Sequence, residues 1–150
     1  MTLQAGLSIQ SKLENLELVQ MVLEETMVRL DVEGKVSYEV GMAVREAVAN
    51  AIEHGNRSQP DKKVVVELDL LPGELVVRIS DEGGGFDPDR VGDPRAPVNL
   101  LKPGGRGILF MREFMDEIDY TFHGNGGTEV TLRKRVRGGT ADSTYEEERR

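Results

Sequence analysis

The sequence predicts an α+β domain: a mixed, mostly antiparallel sheet with helices packed on one face, in two layers. Three observations lead there. Apolar residues recur at helical spacing in three separate segments. Two pairs of β-rich runs are each joined by a short turn, the mark of antiparallel hairpins. The alternation of single strands with helices that a parallel, Rossmann-type sheet requires is missing.

The elements follow in order. Residues Leu3 to Ile9 read as a short first strand. From Leu13, apolar residues at Leu16, Val19, Val22 or Leu23, Met27 and Leu30 define a first helix, closed by Asp31 to Lys35 with Gly34. Ser37 is the expected cap of a second helix, which ends at Gly55. After a turn at Gln59-Pro60-Asp61, "KKVVVELDLL" and "ELVVRIS" form a hairpin about Leu71-Pro72-Gly73. Residues Asp81 to Gly105 are rich in proline and glycine, and a loop that long inside a small domain is rare unless functional or disordered. Helical spacing resumes through Ile108, Met111, Phe114 and Met115, and "IDYTFHGNGGTEVTLRKRV" is a second hairpin turning at Gly124 to Gly127. One domain over residues 1–136 is expected, followed by an apolar-poor, disordered charged tail over 137–150.

Bulk properties exclude several functions. With 27 acidic against 19 basic residues, the net charge of −8 opposes non-specific nucleic-acid binding, which needs a positive field. No run reaches the ~18 apolar residues of a membrane span, and the N-terminus lacks a secretion pattern. Cysteine is absent, so thiolate metal sites and disulfides are excluded, and two histidines are too few for a histidine-rich zinc site. Asn56-Arg57-Ser58 fits the glycosylation pattern, but the expected location is cytoplasmic.

Three local features carry chemistry. In "REAVANAIEHGN", Arg45 to Asn56, a helical wheel places Val44, Ala47, Val48, Ala51 and Ile52 on one apolar side. Glu46, Asn50 and Glu53 fall on a stripe opposite, with His54 beside them and Glu39 seven residues upstream. No cation is interleaved, whereas a solvated face would normally alternate signs. A carboxylate and an amide one turn apart suit a magnesium ion, and the carboxylate also suits general-base work on a hydroxyl. In "DEGGGFDP", an aspartate at a strand end, Asp81, precedes glycines that let a ligand approach the backbone. In "GGRGILFM", glycines lead into a helix N-terminus whose free N–H groups and dipole favour anions, with Arg106 as an added charge. Each has an ordinary reading too: a solvated face, a tight turn, a hinge.

In order and spacing, Glu46-x3-Asn50, Asp81-x-Gly83-x-Gly85 and Gly105-x-Gly107 resemble the N, G1 and G2 boxes of the GHKL (histidine-kinase-like) ATPases, from about Leu7 to Lys134. Within them the chain is most similar to the anti-sigma-factor serine/threonine-protein kinases, through "REAVANAIEHGN" and "GGRGILFMREFMDEID" with its "FMDE" run. The resemblance implies the histidine-kinase-like ATPase fold, with Glu46 as general base and Asn50 carrying Mg²⁺ on the phosphates of ATP. It also implies Asp81 accepting from the adenine amino group, and Gly83 and Gly85 lying close to the nucleotide. Gly105 and Gly107, with Arg106 between them, would border the phosphates under a lid over Asp87 to Gly104. Thr128 matches a family threonine near the nucleotide, and His54 sits where a phosphate-facing residue is often found.

The implied activity is an ATP-dependent protein-serine/threonine kinase and anti-sigma factor of a partner-switching cascade. Its implied partners are a sigma factor and a STAS-domain antagonist that it phosphorylates. A homodimer is expected, with Met21, Met27 and the first helix as a surface, although methionines at helical spacing are more often core. The alternative is a non-catalytic nucleotide-binding or partner-sequestering module, against which intact Glu46 and Asn50 argue.

Overall fold

The computed structural model describes residues 3–83, 107–124 and 126–136. Five strands, β1 (Leu3–Gln10), β2 (Lys63–Leu71), β3 (Glu74–Ser80), β4 (Glu117–His123) and β5 (Gly127–Arg135), form one sheet in the order β1-β2-β3-β5-β4. The helices are α1 (Leu16–Arg29), α2 (Gly34–Asn50) and α3 (Gly107–Phe114). The expected α+β class holds, and every described strand pairing is antiparallel rather than mixed. The lid region and the charged tail lie outside the described residues.

Strand register explains the layering. Side chains alternate between faces, so residues paired across the sheet line up in rows. Leu7, Val66, Ile79, Val130 and Tyr120 make one row across all five strands, and Ala5, Leu68, Val77, Leu132 and Ile118 make the next. Both rows belong to the core that also takes in the helices. Each fully buried aliphatic side chain in it contributes about 1.5–3 kcal/mol. The opposite face is polar: Arg78 pairs with Glu67 and Asp69, and Arg133 with Glu74 and Glu117.

Helix α1 buries Leu16, Val19, Leu23 and Met27. The choice left open by spacing falls to Leu23, with Val22 exposed, and of the two methionines Met27 is core while Met21 is 64% exposed. The helix ends in a Schellman motif built on aspartate instead of glycine: Asp31 takes φ 53, its N–H reaching Val28 O, and Val32 N–H returns to Met27 O. This changes the expected boundary. Because Asp31 reverses the chain, Gly34 opens α2 instead of closing α1, and Ser37 lies inside the first turn, donating its N–H to Glu33 O, rather than capping.

Helix α2 buries Val40, Ala43, Val44, Ala47 and Val48, then continues as a π-helical turn, Ala51–Gly55, that buries Ala51 and Ile52. The cation that the helix sequence does not interleave is supplied to Glu39 from β5. Lys134 of β5 stands on the core face, in register with Leu75, and needs a counter-charge there. Its Nζ lies 2.9 Å from the Glu39 carboxylate and also donates to Phe114 O at the end of α3. Tyr38 meets Phe114 edge-on at the same place, with ring centroids 6.5 Å apart. Lys134 thus fastens α2, α3 and the sheet at one end. Lys134→Met is expected to lower stability by about 1–3 kcal/mol, through the unpaired Glu39 and the uncapped helix end, as read by urea unfolding.

Candidate functional site

The site lies at the other end of α2, where the helix passes into its π turn. Turns of this kind are frequent at functional positions because the extra residue re-aims the side chains after it. Glu46 and Asn50 are half-buried one turn apart at the end of the α-helical part. Burial first, and then the charge of Glu53, push the Glu46 carboxyl above the ordinary carboxylate range, while His54 and Arg45 pull less strongly the other way. His54 and Glu53 follow in the π turn, with Nε2 3.7 Å from the Glu53 carboxylate and both side chains partly exposed.

Gly55 ends the turn, and there the helix meets Asp81. A Cβ on Gly55 would overlap the Asp81 carboxylate, so only glycine lets the two elements touch. Asp81 continues from β3 and is held from the other side by β5: its N–H donates to Thr128 O at 2.9 Å, and its Oδ1 accepts from Thr128 N–H at 3.1 Å and Gly83 N–H at 2.9 Å. Close packing recurs around it, since a Cβ at Gly83 would come within 2.8 Å of Gly55 O, and one at Gly127 within 2.6 Å of Asp81 O. Burial raises the Asp81 pKa. The N–H groups of Gly83 and Thr128, and then Lys62 and His123, lower it by less. Oδ1 is engaged by backbone donors, while Oδ2 has no hydrogen-bond partner among the described residues. Gly55→Ala is expected to push Asp81 off this seat. A loss of stability of about 1–3 kcal/mol, measured by urea unfolding, is the predicted result.

The structure thus brings together Glu46, Asn50 and His54 on one element, and Asp81, Gly83 and Thr128 beside its end. Gly107 is the first residue of α3. Gly85, Gly105, Arg106 and the lid lie outside the described residues. Among the described residues no three carboxylates or histidines converge on a metal. An amide with one carboxylate nearby instead suits Mg²⁺, which keeps several waters and takes its remaining oxygens from phosphates.

One residue of the site escaped the sequence reading. Asn56, which fits a glycosylation pattern, is fully buried. Its Nδ2 donates to Ser11 Oγ at 2.8 Å and Lys63 O at 2.9 Å, and its Oδ1 accepts Glu82 N–H at 2.8 Å. Such an amide is inaccessible to a modifying enzyme. The signal available was its place directly after Gly55, but two of its partners, Ser11 and Glu82, lie 45 and 26 residues away.

Residues 9–134 match the family model described as "Histidine kinase-like ATPase domain". The chain is 31% identical over 137 residues to an anti-sigma F factor of Halalkalibacterium halodurans, spanning 89% of this chain and 92% of that protein. It is also 31% identical to the anti-sigma F factor of Geobacillus kaustophilus, over 87% of this chain and 90% of the other. Among solved structures, the RsbU and RsbW domains of Rv1364c from Mycobacterium tuberculosis superpose with a TM-score of 0.66 at 20% identity, over 91% of this chain but 34% of that one. The SiaB-SiaC complex from Pseudomonas aeruginosa gives a TM-score of 0.64 at 12% identity, over 89% of both chains. At such identities these two structures speak for the fold.

Proposed function

The chain belongs to the histidine kinase-like ATPase family, among relatives of the anti-sigma F factors, and on that premise we propose that it is a cytoplasmic ATP-dependent protein-serine/threonine kinase and anti-sigma factor. It phosphorylates a STAS-domain antagonist, sequesters a sigma factor and works as a homodimer. The observation that carries the proposal is the seat of Asp81, a half-buried carboxylate pressed on Gly55 at the end of the helix that bears Glu46 and Asn50. Asp81 accepts from the adenine amino group. Gly83, Gly85 and Thr128 line the nucleotide, while Gly105, Arg106, Gly107 and His54 face its phosphates. Asn50 would hold Mg²⁺, which would supply neutralisation of charge on the phosphates. Glu46 takes the proton from the acceptor hydroxyl, a task suited to a carboxylate with a raised pKa.

The test is direct. The purified chain is titrated with ADP and ATP, with and without Mg²⁺, and then incubated with γ-labelled ATP and a STAS-domain protein of the same organism. Mg²⁺-dependent binding followed by label on a serine or threonine of the STAS domain is expected. A folded chain that binds neither nucleotide would overturn the proposal. Binding without transfer to any such protein would leave a sequestering module instead.

A further inference from the structure

The geometry points to Asn56 as a positioning residue for base recognition: its buried amide fixes the Asp81 carboxylate in the orientation that distinguishes a purine bearing a 6-amino group from one lacking it. This rests on the proposed nucleotide site and adds to it a residue that contacts no nucleotide. Asparagine has two donor hydrogens and a carbonyl. Here Nδ2 spends both hydrogens, on Ser11 Oγ and Lys63 O, and Oδ1 takes the N–H of Glu82. Ser11 Oγ in turn donates to Lys62 O at 2.7 Å, which ties the amide to the ends of β1 and β2.

The residues on either side of these bonds make the connection to recognition. Gly55, directly before Asn56, is the surface on which the Asp81 carboxylate rests. Glu82, directly after Asp81, is the residue Asn56 holds, and the Glu82 side chain accepts Lys63 N–H at 3.0 Å in return. One dipeptide, Gly55-Asn56, thus clasps the other, Asp81-Glu82. Thr128 restrains Asp81 from the opposite side through its N–H and carbonyl. Without the Asn56 bond to Glu82 N–H, the segment that carries Gly83 N–H to Asp81 Oδ1 is no longer held against Gly55, and the carboxylate keeps a firm hold only on Thr128. The hydrogen bond it offers a ligand is then no longer aimed, because such bonds weaken steeply off axis.

The experiment compares affinities for ADP and for inosine diphosphate, which lacks the amino group, in the wild type and in Asn56→Ala, Glu82→Pro, Glu82→Ala and Asp81→Asn. Glu82→Pro removes the donor to Asn56 from an exposed position and leaves the buried amide in place, so the test survives if Asn56→Ala does not fold. Glu82→Ala keeps that N–H but loses the bond its side chain accepts from Lys63 N–H, so it isolates that bond. The wild type is expected to prefer ADP by about tenfold or more, and Glu82→Ala to keep more of that preference than Glu82→Pro. In Asn56→Ala and Glu82→Pro the ratio is expected to collapse towards that of Asp81→Asn, with the Mg²⁺ dependence of binding retained. A role in folding alone would lower both affinities together and leave the ratio unchanged, which would overturn the inference. A wild type that binds neither nucleotide would overturn the nucleotide site itself. A wild type that discriminates, beside variants that discriminate equally, overturns only the part given to Asn56.

Discussion

Glu46→Gln is expected to reduce phosphoryl transfer by about 10²–10⁴-fold while leaving ADP affinity within about twofold, because the amide keeps the shape but accepts no proton. The fold should not suffer. The carboxylate at this position is disfavoured by burial and by Glu53, so removing its charge relieves a cost instead of creating one. Thermal unfolding of the variant should occur at or slightly above the wild-type temperature. The same environment sets the pH dependence. A base must be deprotonated to act, so the acid limb of kcat/KM is expected at higher pH than an ordinary glutamate gives. Glu53→Gln removes one of the two influences that raise the Glu46 pKa, and should therefore move this limb to lower pH. A limb that stays in place in the Glu53→Gln variant would argue that another group is titrating.

The second large effect is expected at Asp81. Asp81→Asn should weaken ADP and ATP binding by about 10–100-fold, measured calorimetrically, with the fold intact. The amide oxygen still accepts the N–H groups of Gly83 and Thr128, so the strand end stays in place. The new amide nitrogen, however, presents a donor where the adenine amine needs an acceptor. In the wild type, binding should also weaken as pH falls through the raised Asp81 pKa, since protonation blocks the acceptor. An Asp81→Asn variant that binds as tightly as the wild type would remove adenine recognition from this residue.

Much of this was legible in the chain because local periodicity carries it. The repeats at Leu16, Val19 and Met27, and the apolar side from Val44 to Ile52, are properties of single helices and are buried as read. The two hairpins were legible from their turns for the same reason. Asp81 and Gly83, two residues apart, meet through a hydrogen bond, and Thr128, which only the family resemblance put near them, is bonded to Asp81 as well. What was not legible is non-local. Glu39 looked uncompensated because its cation, Lys134, comes from the last strand. Val22 and Leu23 were equivalent until the sheet chose a side. Ser37 looked like a cap because nothing in sequence announces that an aspartate, Asp31, takes the left-handed turn usually left to glycine. Asn56 showed no role in sequence, its glycosylation pattern set aside by the expected location, because its three partners sit on strands or strand ends brought to it by folding.

The bonds around Asp81 also fix when a binding site can exist. They span 45 residues from Asn56 to Ser11, 26 from Glu82 to Asn56 and 47 from Thr128 to Asp81. During synthesis the helix bearing Glu46 and Asn50 emerges early, yet the aspartate beside it gains its last restraints, the two bonds to Thr128, only when β5 has been made and paired. Contacts of such separation form late, after the entropy of closing their loops has been met. A nucleotide that reads Asp81 is therefore a ligand of the completed sheet and not of a folding intermediate. Such a ligand, at a hundredfold excess over its Kd, would stabilise the whole domain by about 2.7 kcal/mol, so that occupancy would also report that the last strand has arrived.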